Sequence, residues 1–77
     1  MSEPRKFTKE DIKELTFGIE SLDHEQREKV RAHLLRYHDQ KGGVFYEESF
    51  SQELRKMRDS GAISEIDYHA VKDAFFG

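Results

Sequence analysis

Three helix starts are written into this chain in the same way, and together they leave little room for anything but a helical fold. Thr8, Asp23 and Ser64 each stand where an N-cap side chain accepts from the backbone, with Asp11, Gln26 and Asp67 three residues on. A carboxylate or amide at that third position reaches back to the N–H of the cap and satisfies a second orphan donor. Each cap follows an apolar residue, Phe7, Leu22 or Ile63, and Phe7 and Ile63 find Ile12 and Tyr68 five residues later. That is the spacing at which a hydrophobic staple closes across the first turn. Agreement among local signals at three separate places favours a defined fold over a loose chain.

Apolar spacing carries each start into a helix. Ile12, Leu15 and Ile19 form one stripe, which Gly18 interrupts. Val30, Leu34 and Tyr37 fall at i, i+4 and i+7, and Lys41-Gly42-Gly43 supplies a terminal cation and then a residue free to turn left-handed. Tyr46, Phe50, Leu54 and Met57 keep helical spacing up to Gly61, and Tyr68, Val71 and Phe75 follow the cap at Ser64. The segment Val44-Phe45-Tyr46 reads either as a short extended piece or as the lead-in to the third helix.

The expectation is an all-α fold: a small single domain over 7–77, of four short helices near 8–18, 24–40, 47–60 and 65–76, ending in a helical hairpin. Residues 1–6 are polar, hold the single Pro and show no period, which predicts a disordered N-terminal arm. The expected core is Ile12, Leu15, Val30, Leu34, Tyr37, Phe50, Leu54, Met57, Tyr68, Val71 and Phe75.

Charged residues make up 38% of the chain and hydrophobic ones 35%, a balance that approaches the disordered class. Placement argues the other way, because six Phe and three Tyr fall at periodic positions and each ring buries roughly 150–250 Å². The net charge of −3 lies wholly in the second half: residues 1–41 carry nine acids against nine bases, residues 42–77 seven against four. That distribution disfavours a nucleic-acid binder, which needs a basic excess on one face. No apolar run approaches a membrane span, and Met1 to Lys6 lacks the apolar core of a signal peptide. Without cysteine there is no thiol nucleophile, disulfide or zinc ribbon. A cytoplasmic protein is expected.

The hairpin carries a more specific pattern: Leu54, Met57, Gly61, Ile63-Ser64, Asp67-Tyr68, Lys72 and Phe75-Phe76. In spacing it resembles the short C-terminal oligomerisation domain found at the ends of many bacterial and archaeal proteins. Ser64 stands for that family's Thr, Asp67-Tyr68 for its acidic-aromatic pair, and Phe75-Phe76 for its terminal Leu pair. Met57 and the aromatic ending depart from the family's aliphatics, and the resemblance covers residues 54–76 only. It implies self-association through the hairpin, or docking of the hairpin on a neighbouring domain.

Chemistry is thinly signalled. Glu65, His69 and Asp73 align at i, i+4 and i+8 and are the one set able to face a single ion, but a solvated helix face gives the same pattern. His33 and His38 lie about 140° apart around their helix and cannot share one ion. Gly42-Gly43 follows a helix and has no Lys-Ser or Lys-Thr after it, so it is no phosphate loop. No enzyme activity, cofactor, metal or small-molecule substrate is expected.

Apolar residues outside the stripes are the better signal. Leu35 lies about 140° from Val30. Ile66, Ala70 and Ala74 widen the apolar arc of the fourth helix to about 200°, and Phe76 and Phe17 add to the surplus. Two accounts compete: a central helix wrapped by the others, or an open patch for a protein partner or homo-oligomer. Leu35, Ile66, Ala70 and Phe76 are the candidate interface residues. The competing class is a small nucleic-acid-binding regulator using the basic residues of helix two and the N-terminal arm, against which Glu25, Glu28 and Asp39 intervene.

Overall fold

All three reciprocal caps close in the computed structural model, which describes residues 3–77. The Thr8 hydroxyl accepts from the Asp11 N–H at 3.0 Å while the Thr8 N–H donates to the Asp11 carboxylate at 2.9 Å. Asp23 and Gln26 repeat the exchange at 2.7 and 3.1 Å, and Ser64 and Asp67 at 3.1 Å each way. The helices are α1 (Lys9–Phe17), α2 (His24–Lys41), α3 (Glu47–Asp59) and α4 (Glu65–Phe76). Only α3 starts without a side-chain cap. Its first turn carries Glu47 and Glu48 instead, which oppose the positive end of the helix dipole. Among the described residues, no helix is long and apolar enough to cross a membrane.

α1 ends at Phe17 with Gly18 as its C-cap, so Ile19 belongs to the loop and not to the helical stripe. α2 ends as its sequence predicts, with Gly42 left-handed at φ 65°. Gly43 does more. Its φ is 82°, and a Cβ there would lie 2.9 Å from the His38 ring and 3.0 Å from the Phe7 carbonyl oxygen. Only glycine fits that gap.

What the narrow gap permits is a short antiparallel pair, β1 (Arg5–Lys6) with β2 (Val44–Phe45), in which Arg5 faces Phe45 and Lys6 faces Val44. The Phe7 N–H continues the ladder to the Gly43 carbonyl at 2.9 Å. Arg5 also donates to the Phe75 carbonyl at 2.9 Å and lies 5.4 Å over the Phe76 ring. The expectation of a disordered arm over residues 1–6 is therefore corrected at Arg5 and Lys6, which form a strand. Its part on Met1 and Ser2 lies outside the described residues. Two strand residues are too few to show alternation, and their partner is some forty residues away.

The core is aromatic at one end and aliphatic at the other. Phe45, Phe50 and Phe75 are fully buried, with ring centroids 5.5 Å apart for Phe45–Phe50 and 5.0 Å for Phe50–Phe75. Phe7 and Tyr37 close on Phe45 at 5.2 and 4.9 Å. Of the expected core, Ile12, Val30, Leu34, Tyr37, Phe50, Leu54, Met57, Tyr68, Val71 and Phe75 are buried, and Leu15 is only half-buried. Ile19, Leu22, Phe45 and Ile63 complete it. Thr16 is buried as well, its hydroxyl donating back to the Ile12 carbonyl at 2.8 Å.

Phe45→Ala is expected to cost about 3–5 kcal/mol, as much as Phe75→Ala, because each ring is enclosed on every side. Tyr46→Ala, at an exposed neighbour, should change stability by no more than about 0.5 kcal/mol. Urea unfolding of the three variants checks the ranking.

Candidate functional site

The four candidate interface residues meet different fates. Ile66, in the first turn of α4, is 73% exposed. Leu35, Ala70 and Phe76 are each half-buried against the core, as is Ala74. Phe76 packs at 5.3 Å from the Phe50 ring and 6.0 Å from Phe7, under the Arg5 guanidinium. The wide apolar arc of α4 is thus largely covered within the chain, and Ile66 is the large residue it leaves in the open.

Near Ile66 one side chain bridges the two helices of the hairpin at the surface. Arg58, near the end of α3, donates to the Glu65 carboxylate at 2.9 Å and lies 5.1 Å over the Tyr68 ring, with Asp59 at 3.4 Å. Glu65 also stands 3.3 Å from His69 Nε2. Among the described residues, no three His, Asp or Glu side chains gather as an ion site.

A second open apolar residue lies on the other helix pair. Phe17, at the end of α1, is 77% exposed. It walls a shallow, mainly apolar cleft of about 330 Å³ shared with Lys13, Glu14, Thr16, Arg27 and Arg31. Arg27 explains the shape of this cleft. Its guanidinium donates to the carbonyls of Thr16, Ile19 and Leu22 at 3.2, 2.9 and 3.1 Å, and so ties down the α1–α2 loop. With its N–H groups turned inward, it presents a flat face 5.8 Å from the Phe17 ring. Tyr46, before α3, is the third large exposed ring or chain at 56%.

Between α2 and α3 lies a polar groove of different character. Tyr37 and His33, one helical turn apart on α2, meet Ser49, Gln52, Glu53 and Lys56 of α3. The Tyr37 hydroxyl is sealed from solvent, with the Ser49 hydroxyl nearby but, among the described residues, no partner at good hydrogen-bond geometry. Burial raises its pKa, the Glu53 carboxylate adds to the rise, and the Ser49 hydroxyl opposes it. The Glu53 carboxylate reaches Lys56 Nζ at 3.1 Å and His33 Nε2 at 3.8 Å. Burial lowers the His33 pKa, with Arg36 and Lys56 lowering it further and Glu53 raising it. This cluster escaped sequence reading because its two halves are on different helices. The i, i+4 spacing of His33 and Tyr37 was its one local trace.

Compared with protein-family models, curated proteins and solved structures, the chain matches none.

The groove makes a definite pH statement. A histidine whose folded pKa lies below its unfolded value binds its proton more weakly when folded. The stability it contributes is complete above the ordinary value of 6.5 and is lost as pH falls toward the lower folded value. His33→Gln should therefore narrow the loss of stability between about pH 7.5 and pH 5.5. Urea unfolding at the two pH values reads this. A titration of His33 by nuclear magnetic resonance should give a midpoint below 6.5.

Proposed function

We propose that this chain is a non-catalytic helical protein-interaction module that docks on a partner, or on a second copy, through the outer face of its α3–α4 hairpin. The observation that carries the reading is Ile66, 73% exposed on a helix whose other large apolar residues pack inward. Burying such a side chain in a complex contributes about 1.5–3 kcal/mol. Little is lost in ordering it, because a β-branched chain on a capped helix has few rotamers to give up. The two helices of the hairpin pack on one core, with Arg58 bridging them at the surface, so the surface exists before any partner arrives. The resemblance of residues 54–76 to the short C-terminal oligomerisation domain points to the same hairpin. A cytoplasmic setting and the absence of a small-molecule substrate belong to this reading.

Binding of nucleic acid ranks below it. Of the five Lys and Arg side chains on α2, Arg27 is committed to three carbonyls and Arg31 to Glu28, and Glu25, Glu28 and Asp39 stand among the others. Arg5, from the N-terminal segment, is committed to Phe75 and Phe76.

Ile66→Gln should leave far-UV helicity unchanged and weaken association, read by sedimentation equilibrium for self-association and by capture on the immobilised chain for a partner. Added salt should leave most of the wild-type association standing, whereas phosphate contacts weaken steeply with salt. Association unchanged by Ile66→Gln overturns the reading. So does a chain that stays monomeric and shifts duplex DNA in a salt-sensitive way.

A further inference from the structure

We propose that the groove between α2 and α3 binds an acidic peptide segment of a partner protein, seating one of its apolar side chains between Lys29 and Arg36. Ile66 is no part of this groove, and neither reading depends on the other.

The groove exists because α2 and α3 meet over less of their length than α1 with α2 or α3 with α4. His33, Tyr37 and Glu53 line its middle. Beyond His33 and Arg36 it opens into a mainly apolar hollow of about 480 Å³, floored by Ala32, Met57 and Ala62. The unbranched thioether of Met57 adapts readily to a visiting side chain. Lys29, Arg36 and Lys56 rim the hollow, and no carboxylate lines it.

Charge selects the occupant. Along its whole length the groove carries four cations, Lys29, Arg36, Lys41 and Lys56, against the single carboxylate of Glu53. Glu53 is mostly covered and turned to Lys56 at 3.1 Å and to His33 at 3.8 Å. Among the described residues, Lys29, Arg36 and Lys41 form no ion pair. Burial lowers the His33 pKa, so that ring adds no charge at pH 7. Glu28 and Asp39, also on α2, pair with Arg31 and Lys9 outside the groove. Glu25 lies one turn before Lys29, and counting it still leaves two positive charges in excess. In a chain of net charge −3, such a local excess is complementary to an anion.

The floor decides what kind of anion. Single-stranded nucleic acid binds by stacking its bases on open aromatic rings. Tyr37, the aromatic ring of the groove, is buried, and the floor of the hollow is aliphatic and thioether. A chain that carries both carboxylates and an aliphatic side chain meets both parts. Lys29 and Arg36 are two turns apart on one helix face, about 10 Å along the axis. That leaves room for a carboxylate on either side of one seated side chain. Lys41 follows about 8 Å farther on and can receive another.

Titration of the full chain with a synthetic peptide tests this. The probe carries one leucine flanked on each side by two glutamates, with both ends blocked. At millimolar concentration it should move the amide signals of Ala32, His33, Arg36, Met57 and Ala62 in nuclear magnetic resonance spectra. Replacing its glutamates by glutamine, or its leucine by glycine, should weaken binding about 10-fold or more. Lys29→Glu and Arg36→Glu change exposed residues, so both should keep wild-type helicity by circular dichroism. Each should weaken peptide binding about 5- to 20-fold. Lys13→Glu, the same reversal on α1, should change it by less than about 2-fold. The proposal is overturned if the glutamine peptide binds as tightly, if Lys13→Glu costs as much as Arg36→Glu, or if the groove signals do not move. Tighter binding of an oligodeoxythymidylate than of the peptide also overturns it, and makes the groove a nucleic-acid surface. The hairpin reading stands apart from all of these outcomes, because its own test is Ile66→Gln.

Discussion

Phe45 is the side chain on which the rest of this fold depends. It is fully buried, and Phe7, Tyr37 and Phe50 all pack on its ring within 5.5 Å. Through Phe7 and Phe50 the cluster reaches Phe75, at 5.0 Å from each, and so joins the beginning of the chain to its end. A chain with this much charge has few apolar residues to enclose. Rings supply much area from few positions. In the cluster's geometry β2 lies edge to edge with β1, and Gly43 lets the Phe7 backbone approach closely enough for that pairing. The smallest element of the fold therefore organises the largest rings in it.

The helices were legible in the sequence because everything that bounds them is local. Caps act over three residues and staples over five, so Thr8, Asp23 and Ser64 place the starts of α1, α2 and α4 without any knowledge of the tertiary structure. The left-handed stop at Gly42 is equally local. The β1–β2 pair was not legible, since Arg5 and Phe45 are forty residues apart and neither strand is long enough to show a period of two. For the same reason the sequence left Phe45 ambiguous. Ile19 and Leu22 read as the end of a stripe and a cap neighbour, yet both are buried core residues in a loop whose carbonyls Arg27 holds.

The candidate site divides along the same line. Periodicity measures how far an apolar arc extends around a helix, but it is silent on how many neighbours cover that arc. Ile66 stands open where the widened arc of α4 predicts surplus. Phe76 belongs to the same arc and is half-covered, by Phe50, by Phe7 and by Arg5 of the segment expected to be an arm. Leu35 and Ala70 are half-covered in the same sense. The Phe17 cleft had no sequence signature beyond one surplus ring. Its wall is made by Arg27, and its location depends on where the α1–α2 loop turns.

Exposed apolar side chains in a small domain usually fold over onto the nearest apolar surface, and single ones need no special account. Phe17 and Ile66 are prevented from folding over by the polar devices that end or begin their helices. Phe17 is the last residue of α1, and the loop after it is fastened by three hydrogen bonds from Arg27, so the ring is aimed outward over the guanidinium face. Ile66 sits two residues after Ser64, in a turn locked by the Ser64–Asp67 exchange, on the opposite side from the buried Asp67 and Tyr68. In both places hydrogen bonding to backbone groups lies next to an apolar side chain that stays exposed. At Ile66 the cap that makes α4 readable from sequence also places the side chain outside the core.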